Sequence, residues 1–479
     1  MAQLHVVKFG GSSLATTGRI ATSMIRLRQD PRRRVVTISA PGRVNGMGKV
    51  TDDLRAMGVA LLQRQPLDED VLERVGKRYR DMERELCGRE VVSLRIPDRI
   101  RQQANMAAMR GRIDPLEAVG EQGMAEIYAR ALQEQGVDAV FLDARDFMAV
   151  KEGPSGVAYV PKANYSAIRS HIGDALGSHT VAIIPGYYGL DDAKTIRTFR
   201  RGGSDYTAAV LAAALNADLH ENFTDVDGIR VTDYEPLREA ASRISVMGLI
   251  ELAQLTRGGS FGVFQADAVA PLARAGIPIH LQHSWEEGEG TWVVPDDTLD
   301  PAYVRRHPVR GIAFRQHFAL FRVLQFDMAT DPGYLHALTR VFAERRISLE
   351  HAPSSLIEAA VIVSEAAIQN NAELIEQLRA ATHADALTQQ SDLGLVSIVG
   401  HALPGLQGLA GRIFGLLGRE NINVQTIDYP GGIHLTLGIA NGDGARALQA
   451  LLDDFFPSAD GSALSPADAA RVRSALERI

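Results

Sequence analysis

Two glycine turns carry the residues that could do chemistry in this chain of 479 residues. One of them, Arg201-Gly202-Gly203-Ser204-Asp205, runs directly into an alanine- and leucine-rich stretch that predicts a buried helix. Glycines let a backbone approach a ligand closely, and the free N–H groups at a helix N-terminus favour an anion. Arg201 adds a planar guanidinium that suits a carboxylate or a phosphate. A capped turn beside a surface arginine would show the same short pattern.

The other glycine turn, Lys8-Phe9-Gly10-Gly11-Ser12, follows a short apolar strand near the start of the chain. A strand, a lysine and two glycines in this order predict a cradle for a phosphate group. The segment is not a nucleotide P-loop, because its lysine precedes the glycines and the GxxxxGK[ST] spacing is absent. Taken alone, it also fits a solvated turn without a ligand.

Composition excludes several classes of function. The chain carries 51 basic and 58 acidic residues, and the net charge of −7 argues against a nucleic-acid partner or an anionic membrane partner. Its single cysteine, Cys87, excludes an intrachain disulfide and a cysteine metal site. No apolar run is long enough to span a membrane and no signal peptide opens the chain, so we expect a cytoplasmic protein.

The elements around the first turn predict an α/β fold. Residues 4–40 have the pattern strand, glycine turn, helix and strand, which is the opening of a mainly parallel sheet. Ser39 ends the second of these strands, and a glycine-rich loop at 42–48 leads on to Thr51. Ligands of such sheets bind at the carboxyl ends of the strands, where we expect these residues to lie.

A helical region separates this opening from the Arg201 turn. Residues 54–118 are charged and helix-like, and they predict an insertion on the outside of the fold. A further helix is predicted from Val119 to Gln133, with Glu121 near its start, where the helix dipole favours a carboxylate. Beyond the next buried strand, Tyr187 could form an aromatic wall of a binding site or belong to the core.

A third polar block follows the helix of the Arg201 turn. Residues 218–223 predict a strand that ends at Thr224 and Asp225, and a loop with Asp227 and Arg230 comes next. A threonine hydroxyl and an aspartate carboxylate at a strand end can bind a ribose or an adenine edge. Asp-Gly turns of this kind are also common as plain structure.

Together the three blocks closely resemble those of aspartokinases, enzymes with the amino acid kinase fold, and the resemblance extends over nearly the whole chain. It implies an α/β fold, the carbamate kinase-like three-layer sandwich with a mainly parallel sheet, followed by two ferredoxin-like βαββαβ ACT modules. An internal repeat agrees with two modules, because the pattern at 331–349 recurs at 403–424. The predicted domains are residues 1–295 for catalysis, 296–312 for a linker, 313–392 for the first ACT domain and 393–479 for the second.

The resemblance implies ATP-dependent phosphorylation of the side-chain carboxylate of L-aspartate to 4-phospho-L-aspartate. Lys8 would be the catalytic cation, with Asp205 as the residue that orients it. Arg201 would hold the α-carboxylate of aspartate, and Glu121 its amino group. Mg²⁺ would be carried on the ATP phosphates, since the sequence shows no dense carboxylate cluster that would form a metal site. The other residues implied in substrate binding are Ser39, Thr51 and Ser204, and those implied in nucleotide binding are Lys8, Gly10, Gly11, Ser12, Gly203, Thr224, Asp225 and Arg230.

Two positions depart from the family pattern. Glu235 stands where aspartokinases usually have an arginine, and Phe264, in the segment that begins at Phe261, stands where they have a lysine. A cation that neutralises the ATP phosphates would therefore be missing. Either Arg230 or Arg257 would replace it, or Lys8 and magnesium would hold more of the nucleotide. Two alternatives remain open, namely a kinase for another amino-acid carboxylate such as glutamate, and an amino-acid sensor without turnover.

The two ACT modules imply regulation and assembly. ACT folds bind amino acids, and a pair of them can also serve only to build a homodimer or a higher homo-oligomer. The stretches at 352–357 and 428–433 retain few of the polar side chains that hold lysine or threonine in feedback-sensitive aspartokinases, so we expect weak or absent inhibition by lysine. The pathway would lead to lysine, threonine and methionine, or to ectoine, whose dedicated aspartokinases form a branch that the chain resembles.

Overall fold

The structure is a computed structural model that describes residues 3–44, 46–153, 156–257, 262–369 and 373–457. In its N-terminal region, strands and helices alternate. They are β1 (His5–Phe9), α1 (Thr17–Arg28), β2 (Arg33–Ile38), α2 (Val50–Leu62), α3 (Glu69–Cys87), α4 (Ile96–Arg110), α5 (Asp114–Glu134), β3 (Ala139–Phe141), β4 (Lys151–Glu152), β5 (Ala158–Tyr159), α6 (Tyr165–Ser178), β6 (Val181–Pro185), β7 (Tyr188–Leu190), β8 (Ile196–Thr198), α7 (Gly203–Leu215), β9 (Leu219–Thr224), α8 (Glu235–Arg238), β10 (Val246–Gly248), α9 (Leu249–Arg257), α10 (Ala266–Ala275), β11 (Ile279–His283) and β12 (Thr291–Val294). Over the ranges described, no helix is both long and apolar enough to cross a membrane.

Eight strands of this region form one sheet in the order β10-β12-β11-β9-β1-β2-β6-β3. Every neighbouring pair except β11 and β12 runs parallel, which confirms the predicted mainly parallel sheet. β1 is fully buried, and β2 and β9 pair with it on either side. The carboxyl ends of β1, β2, β6 and β9 therefore meet at one edge, where α/β proteins bind ligands.

Helix α5 corrects two expectations about the helical region. It begins at Asp114 rather than Val119, because Pro115 suits the first turn of a helix. Glu121 therefore lies two turns inside the helix, beyond the reach of the dipole at its first turn. Most residues of α5 are buried, and the helix contacts β3 and β6, so it forms part of the layer that covers the sheet. Helices α2, α3 and α4, which lie in or overlap the predicted outer insertion, contact α5.

The C-terminal region carries the predicted repeat. Its elements are α11 (Pro301–Arg306), β13 (Gly311–Leu324), α12 (Tyr334–Glu344), β14 (Glu358–Ser364), α13 (Glu365–Ile368), α14 (Leu374–Thr382), β15 (Ala386–Val399), α15 (Leu409–Arg419), β16 (Thr426–Asp428), β17 (His434–Ala440) and α16 (Gly444–Phe455). The order strand, Pro-Gly turn and helix occurs twice, as the sequence predicts.

The two repeats share one antiparallel sheet with the strand order β14-β13-β15-β17-β16. Strands β13 and β15 run through both halves of it. The half that contains β14 packs against α12 and α14, and the half that contains β17 packs against α15 and α16. Residues 311–315 pair with 395–399, so they lie in the second half although they precede the whole first repeat. The domain boundaries stay predictions, and residues 458–479 lie outside the described residues.

The second half of this sheet joins the N-terminal region through a continuous apolar core and a buried ionic contact. The Glu251 carboxylate accepts hydrogen bonds from the Arg310 guanidinium at 3.2 Å and from the His401 backbone N–H at 3.0 Å. Nε2 of His401 lies 2.6 Å from Oδ1 of Asp296, and this hydrogen bond raises the pKa of His401. The stretch predicted as a linker thus contains α11 and the start of β13.

Candidate active site

A cavity of about 390 Å³ opens at the edge of the sheet where β1, β2 and β9 end. Both glycine turns and the loop after β2 contribute to its walls, together with one face of α5. The predicted site residues that line it are Lys8, Gly10, Gly11, Ser12, Ser39, Thr51, Glu121, Arg201, Gly203, Ser204, Asp205, Thr224 and Asp225. Segments far apart in the sequence thus supply one site.

Lys8 and Asp205 form an ion pair that is almost buried. Nζ of Lys8 lies 2.7 Å from Oδ1 of Asp205, and the two side chains are only 11% and 10% exposed. Nδ2 of Asn222 donates a second hydrogen bond to the same carboxylate oxygen at 3.2 Å. Since these residues lie on β1, α7 and β9, three rigid elements fix the ammonium group. A Cβ atom at Gly10 would lie 3.1 Å from Nζ, so the glycine leaves room for the ammonium.

The backbone around the cavity is packed closely. The N–H of Gly42 donates to the carbonyl of Gly11 at 2.7 Å, and a Cβ atom on Gly42 would lie 2.5 Å from that carbonyl. Gly202 precedes α7 with φ of 80°, a left-handed conformation that favours glycine. Because α7 begins directly after it, the free N–H groups and the positive dipole end of this helix point towards the cavity.

Glu121 is a buried carboxyl group with one unused oxygen. The residue is 3% exposed, and burial raises its pKa to about 8. Oγ1 of Thr51 donates to Oε1 at 3.4 Å, whereas Oε2 has no hydrogen-bond partner among the described residues. A buried acceptor without a partner costs free energy, so this oxygen fits a cationic or hydrogen-bond-donating group of a ligand.

Arg201 differs from Lys8 because its side chain is largely exposed and is not held by a close ion pair. Its side chain is 82% exposed, and its only ion pair among the described residues joins Nη2 to Oδ1 of Asp52 at 3.6 Å. Such a long, exposed contact contributes little free energy. The guanidinium is therefore available to an anion that enters the cavity.

Tyr187 lies on the wall of the cavity, which is one of the two positions that the sequence analysis allowed for it. It is buried, lines the cavity and adopts a left-handed φ of 81°, a strained conformation for a residue with a side chain. Its hydroxyl donates to Oε2 of Glu117 at 3.0 Å and accepts from Nη2 of Arg55 at 2.9 Å. A Cβ atom on Gly203 would lie 2.7 Å from the tyrosine ring, so the ring packs directly on the second glycine turn.

Comparisons with known proteins agree with this geometry. A profile of the amino acid kinase family matches residues 3–283, and an ACT domain profile matches residues 396–455. The chain belongs to the amino acid kinase family. All residues that line the cavity fall within the part of the chain that the family profile matches.

Individual relatives narrow the comparison to one branch of amino acid kinases. Aspartokinase 3 of Bacillus subtilis is 29% identical over 463 residues, which cover 95% of this chain and 99% of that protein. The aspartate kinase of Clostridium acetobutylicum is 25% identical with a TM-score of 0.78, covering 94% of this chain and 100% of that one. Aspartokinase III of Escherichia coli, solved in complex with aspartate and ADP, is 24% identical and has the same fold with a TM-score of 0.79, covering 95% and 100%. The resemblance to aspartokinases is confirmed.

Four cations of this amino acid kinase line the cavity without being among the predicted site residues: Arg19, Arg43, Lys49 and Arg55. Nη1 of Arg19 donates to the carbonyl of Ser12 at 3.0 Å, and its guanidinium lies 4.1 Å from the centre of the Trp285 ring. The position of Arg19 in the first turn of α1, just after the first glycine turn, is the signal that could have identified it. Arg43 and Lys49 lie at the two ends of the glycine-rich loop at 42–48, and no local sequence pattern predicts the conformation of this loop.

Arg230, which the resemblance implies in nucleotide binding, does not line the cavity, and its role stays a prediction. Its Nη1 donates to the carbonyl of Ala241 at 2.7 Å, and its Nη2 donates to Oδ1 of Asp227 at 3.2 Å. These contacts hold the guanidinium against its own loop. Arg257, the other proposed replacement cation, lines a different cavity.

The two departures from the family pattern also have structural outcomes. Phe264 is 1% exposed, and its ring lies in the apolar core with its centre 6.0 Å from that of His220. Glu235 lies at the surface, where it accepts a hydrogen bond from Arg238 at 3.0 Å. Phe261 lies outside the described residues. Neither Phe264 nor Glu235 lines the cavity, so its cations come from other positions.

Proposed function

We propose that this chain is an aspartokinase, which transfers the γ-phosphoryl group of ATP to the side-chain carboxylate of L-aspartate. The observation that carries the proposal is the unpartnered Glu121 oxygen in a cavity that also holds the Lys8–Asp205 pair and the exposed Arg201. An α-amino acid has an ammonium group, which Glu121 can bind, and an α-carboxylate, which Arg201 can bind. The relatives named above, one of them solved with aspartate and ADP, support the same choice of substrate.

The phosphoryl transfer needs no general base, since the aspartate side chain, with a reference pKa of about 4, is already ionised at neutral pH. A carboxylate oxygen attacks the γ-phosphorus, a new P–O bond forms, and the bond to the bridging oxygen of ADP breaks. The barrier comes from bringing one anion up to another, so cations and aligned donors are what the site must supply. Lys8, the amides of Gly10 to Ser12 and the N-terminus of α7 supply them. Asp205 holds Lys8 in position.

Mg²⁺ is the metal ion that such a transfer implies. Across the described part of the chain, no three His, Cys, Asp or Glu side chains come together as metal ligands. The carboxylates that line the cavity, Asp52, Glu121, Asp205 and Asp225, do not form such a group. Together with the cations, hydroxyls and amides beside them, they fit a Mg²⁺ that arrives on the ATP phosphates and keeps several of its waters. When bound in this way, Mg²⁺ supplies neutralisation of phosphate charge.

Recognition of aspartate follows from the other wall of the cavity. Arg201 forms a two-pronged contact with the α-carboxylate, and Glu121 accepts from the ammonium group. Ser39, Thr51 and Ser204 offer hydroxyl groups beside them. Tyr187, fixed by its hydroxyl, limits the length of the side chain that fits.

The test is an assay that follows ADP release and traps the acyl phosphate with hydroxylamine. We expect equal amounts of ADP and hydroxamate with L-aspartate, and little of either with L-glutamate. N-acetyl-L-aspartate, which lacks the ammonium group that Glu121 binds, is the matched control and is expected to be a poor substrate. ADP release without hydroxamate would contradict the proposal, and aspartate binding without turnover would favour the amino-acid sensor.

Assembly and regulation extend the proposal. We infer a cytoplasmic homodimer or higher homo-oligomer built through the C-terminal repeats, in a pathway from aspartate to lysine, threonine, methionine or ectoine. Between the repeats lies a groove of about 480 Å³, whose lining includes Arg322, Ser354, Ser355, Glu358, Gln425 and Thr426. This groove is where an amino-acid effector would bind.

A further inference from the structure

A second cavity of about 400 Å³ lies behind the Arg201 turn. It shares no lining residue with the cavity of about 390 Å³ that holds Lys8, Glu121 and Arg201, which is called the catalytic cavity below. The β4–β5 hairpin, the start of α6, the first turns of α7 and the helix α10 form its walls. Gln265 belongs to this lining, and a Cβ atom on Gly202 would lie 2.9 Å from its side chain. The second cavity therefore backs directly onto the turn that carries Arg201.

The charges of this cavity are unbalanced. Four cations line it, Lys162, Arg200, Arg257 and Arg274, against one carboxylate, Asp267. All four are exposed, and none of them forms an ion pair with a residue that the structure describes. Arginines elsewhere in the N-terminal region, such as those of α3 and α4, pair with neighbouring carboxylates. Four unpaired cations around one cavity repel one another, and an anion between them relieves that repulsion.

The same cavity also offers flat apolar surface. Tyr159, Tyr165 and Tyr206 line it, and Phe199 packs edge-on against Tyr206 with ring centres 4.8 Å apart. The hydroxyl of Tyr206 accepts from the backbone N–H of Val160 at 3.0 Å, which fixes this ring. Rings held in this way can stack on a planar group of a ligand.

Gln265 adds an unused hydrogen-bond acceptor. Its Nε2 donates to Oδ2 of Asp267 at 3.0 Å, while its Oε1 is shielded from solvent and has no partner in the part of the chain that the structure describes. Buried polar atoms are nearly always paired, so an acceptor left over in a cavity points to a donor on a ligand. The cavity thus combines a site for an anion, a stacking surface and one acceptor.

We propose that this cavity binds a small phosphorylated compound with a planar ring, of which a nucleoside monophosphate is the simplest example. The cations hold its phosphate, the tyrosine rings stack on its ring, and Gln265 accepts from an amino group on that ring. Because Gln265 packs on Gly202, occupancy of the cavity fixes the neighbouring turn and so changes the affinity of the catalytic cavity for its anionic substrate. The binding itself does not depend on the proposed reaction.

Calorimetric titration of the full chain with AMP tests this site, with two matched charge reversals as the comparison. Arg274→Glu lies in the second cavity, and Arg43→Glu lies in the catalytic cavity. We expect Arg274→Glu to weaken AMP binding at least about tenfold and Arg43→Glu to leave one AMP site intact. Adenosine and inorganic phosphate are expected to bind more weakly than AMP, since each lacks one half of the contacts.

The opposite pattern, in which Arg43→Glu abolishes AMP binding and Arg274→Glu does not, would place AMP in the catalytic cavity and overturn the proposal. Unchanged binding in both variants, or no binding to the unaltered chain, would overturn it as well. Lys162→Glu, another exposed position on a different element, repeats the test if Arg274→Glu fails to fold. Circular dichroism of each variant verifies the fold.

Discussion

The catalytic cavity and the groove between the two repeats both present polar side chains, but they differ in what those side chains already bind. In the cavity, Oε2 of Glu121 has no partner among the residues that the structure describes, and Arg201 is mostly exposed. In the groove, Arg322 donates to Oε1 of Glu358 at 3.0 Å and to the carbonyl of Gln425 at 2.7 Å. The groove thus satisfies its own charges, whereas the cavity does not.

This difference separates a region that needs a ligand from one that does not. An unsatisfied buried group costs about 1–3 kcal/mol, and a ligand that pairs with it recovers that cost as affinity. A ligand of the groove must instead replace contacts that the chain already makes, so it gains little. Variants of the cavity are therefore expected to have large effects, and effectors of the groove small ones.

The largest expected effect is that of Lys8→Ala. We expect turnover to fall by about 10²-fold or more, because the fixed ammonium stabilises charge that moves in the transition state. The KM for aspartate is expected to change little. Steady-state kinetics of both substrates check this.

Lys49→Ala is the matched control, since Lys49 lines the same cavity but is exposed and unpaired with a carboxylate in the described structure. It is expected to keep most of the turnover. Equal losses in the two variants would mean that the cavity needs net positive charge rather than one positioned lysine.

Arg201→Lys is expected to have the next largest effect. Lysine keeps the charge but cannot make the two-pronged contact with a carboxylate, so the KM for aspartate is expected to rise about 10-fold or more. The KM for ATP is expected to stay nearly constant. A rise in the KM for ATP alone would show that the two glycine turns have exchanged the roles assigned to them.

Local sequence patterns predicted the glycine turns and strand ends, because glycine and strand-end chemistry are properties of a few adjacent residues. Arg230 shows the limit of such patterns, since it is close to Asp225 in sequence while its own loop carries it away from the cavity. Helix α5 begins at Asp114 rather than at the predicted Val119, because Pro115 suits the first turn of a helix. The sheet shared by both repeats depends on pairings between distant strands, which no local pattern contains.

The protonation state of Glu121 is expected to make aspartate binding in the cavity depend on pH. Its pKa of about 8 means that the carboxyl group is largely protonated at neutral pH in the free enzyme, whereas the ammonium of aspartate binds the ionised form. The KM for aspartate is therefore expected to fall as pH rises from about 6 to about 8, by at most about tenfold per pH unit. Glu121→Gln should raise the KM and flatten this profile. A steep profile that survives the substitution would assign it to another group.

The same substitution is expected to stabilise the fold. Since burial raises the pKa of Glu121 from 4.5 to about 8, the folded chain binds more protons than the unfolded chain between these pH values, and stability falls as pH rises through that window. Glu121→Gln removes this loss, with an expected gain of about 4 kcal/mol at pH 8 and almost none at pH 4. Urea unfolding at the two pH values measures both.

The smallest expected effect is that of lysine on the groove. Glu358, the carboxylate that lines the groove and could hold the ligand's ammonium group, accepts a hydrogen bond from Arg322. Asp428, which follows the lining residue Ile427 in the sequence, is hydrogen-bonded to His351. Lysine would have to break these contacts, so we expect less than half inhibition at about 1 mM, a concentration at which even half occupancy needs only about 4 kcal/mol of binding free energy. Initial rates at sub-saturating aspartate, with lysine, threonine and both together, measure this. Half inhibition at sub-millimolar lysine would show that the groove exchanges its internal pairs for a ligand, and the contrast with the cavity would then be wrong.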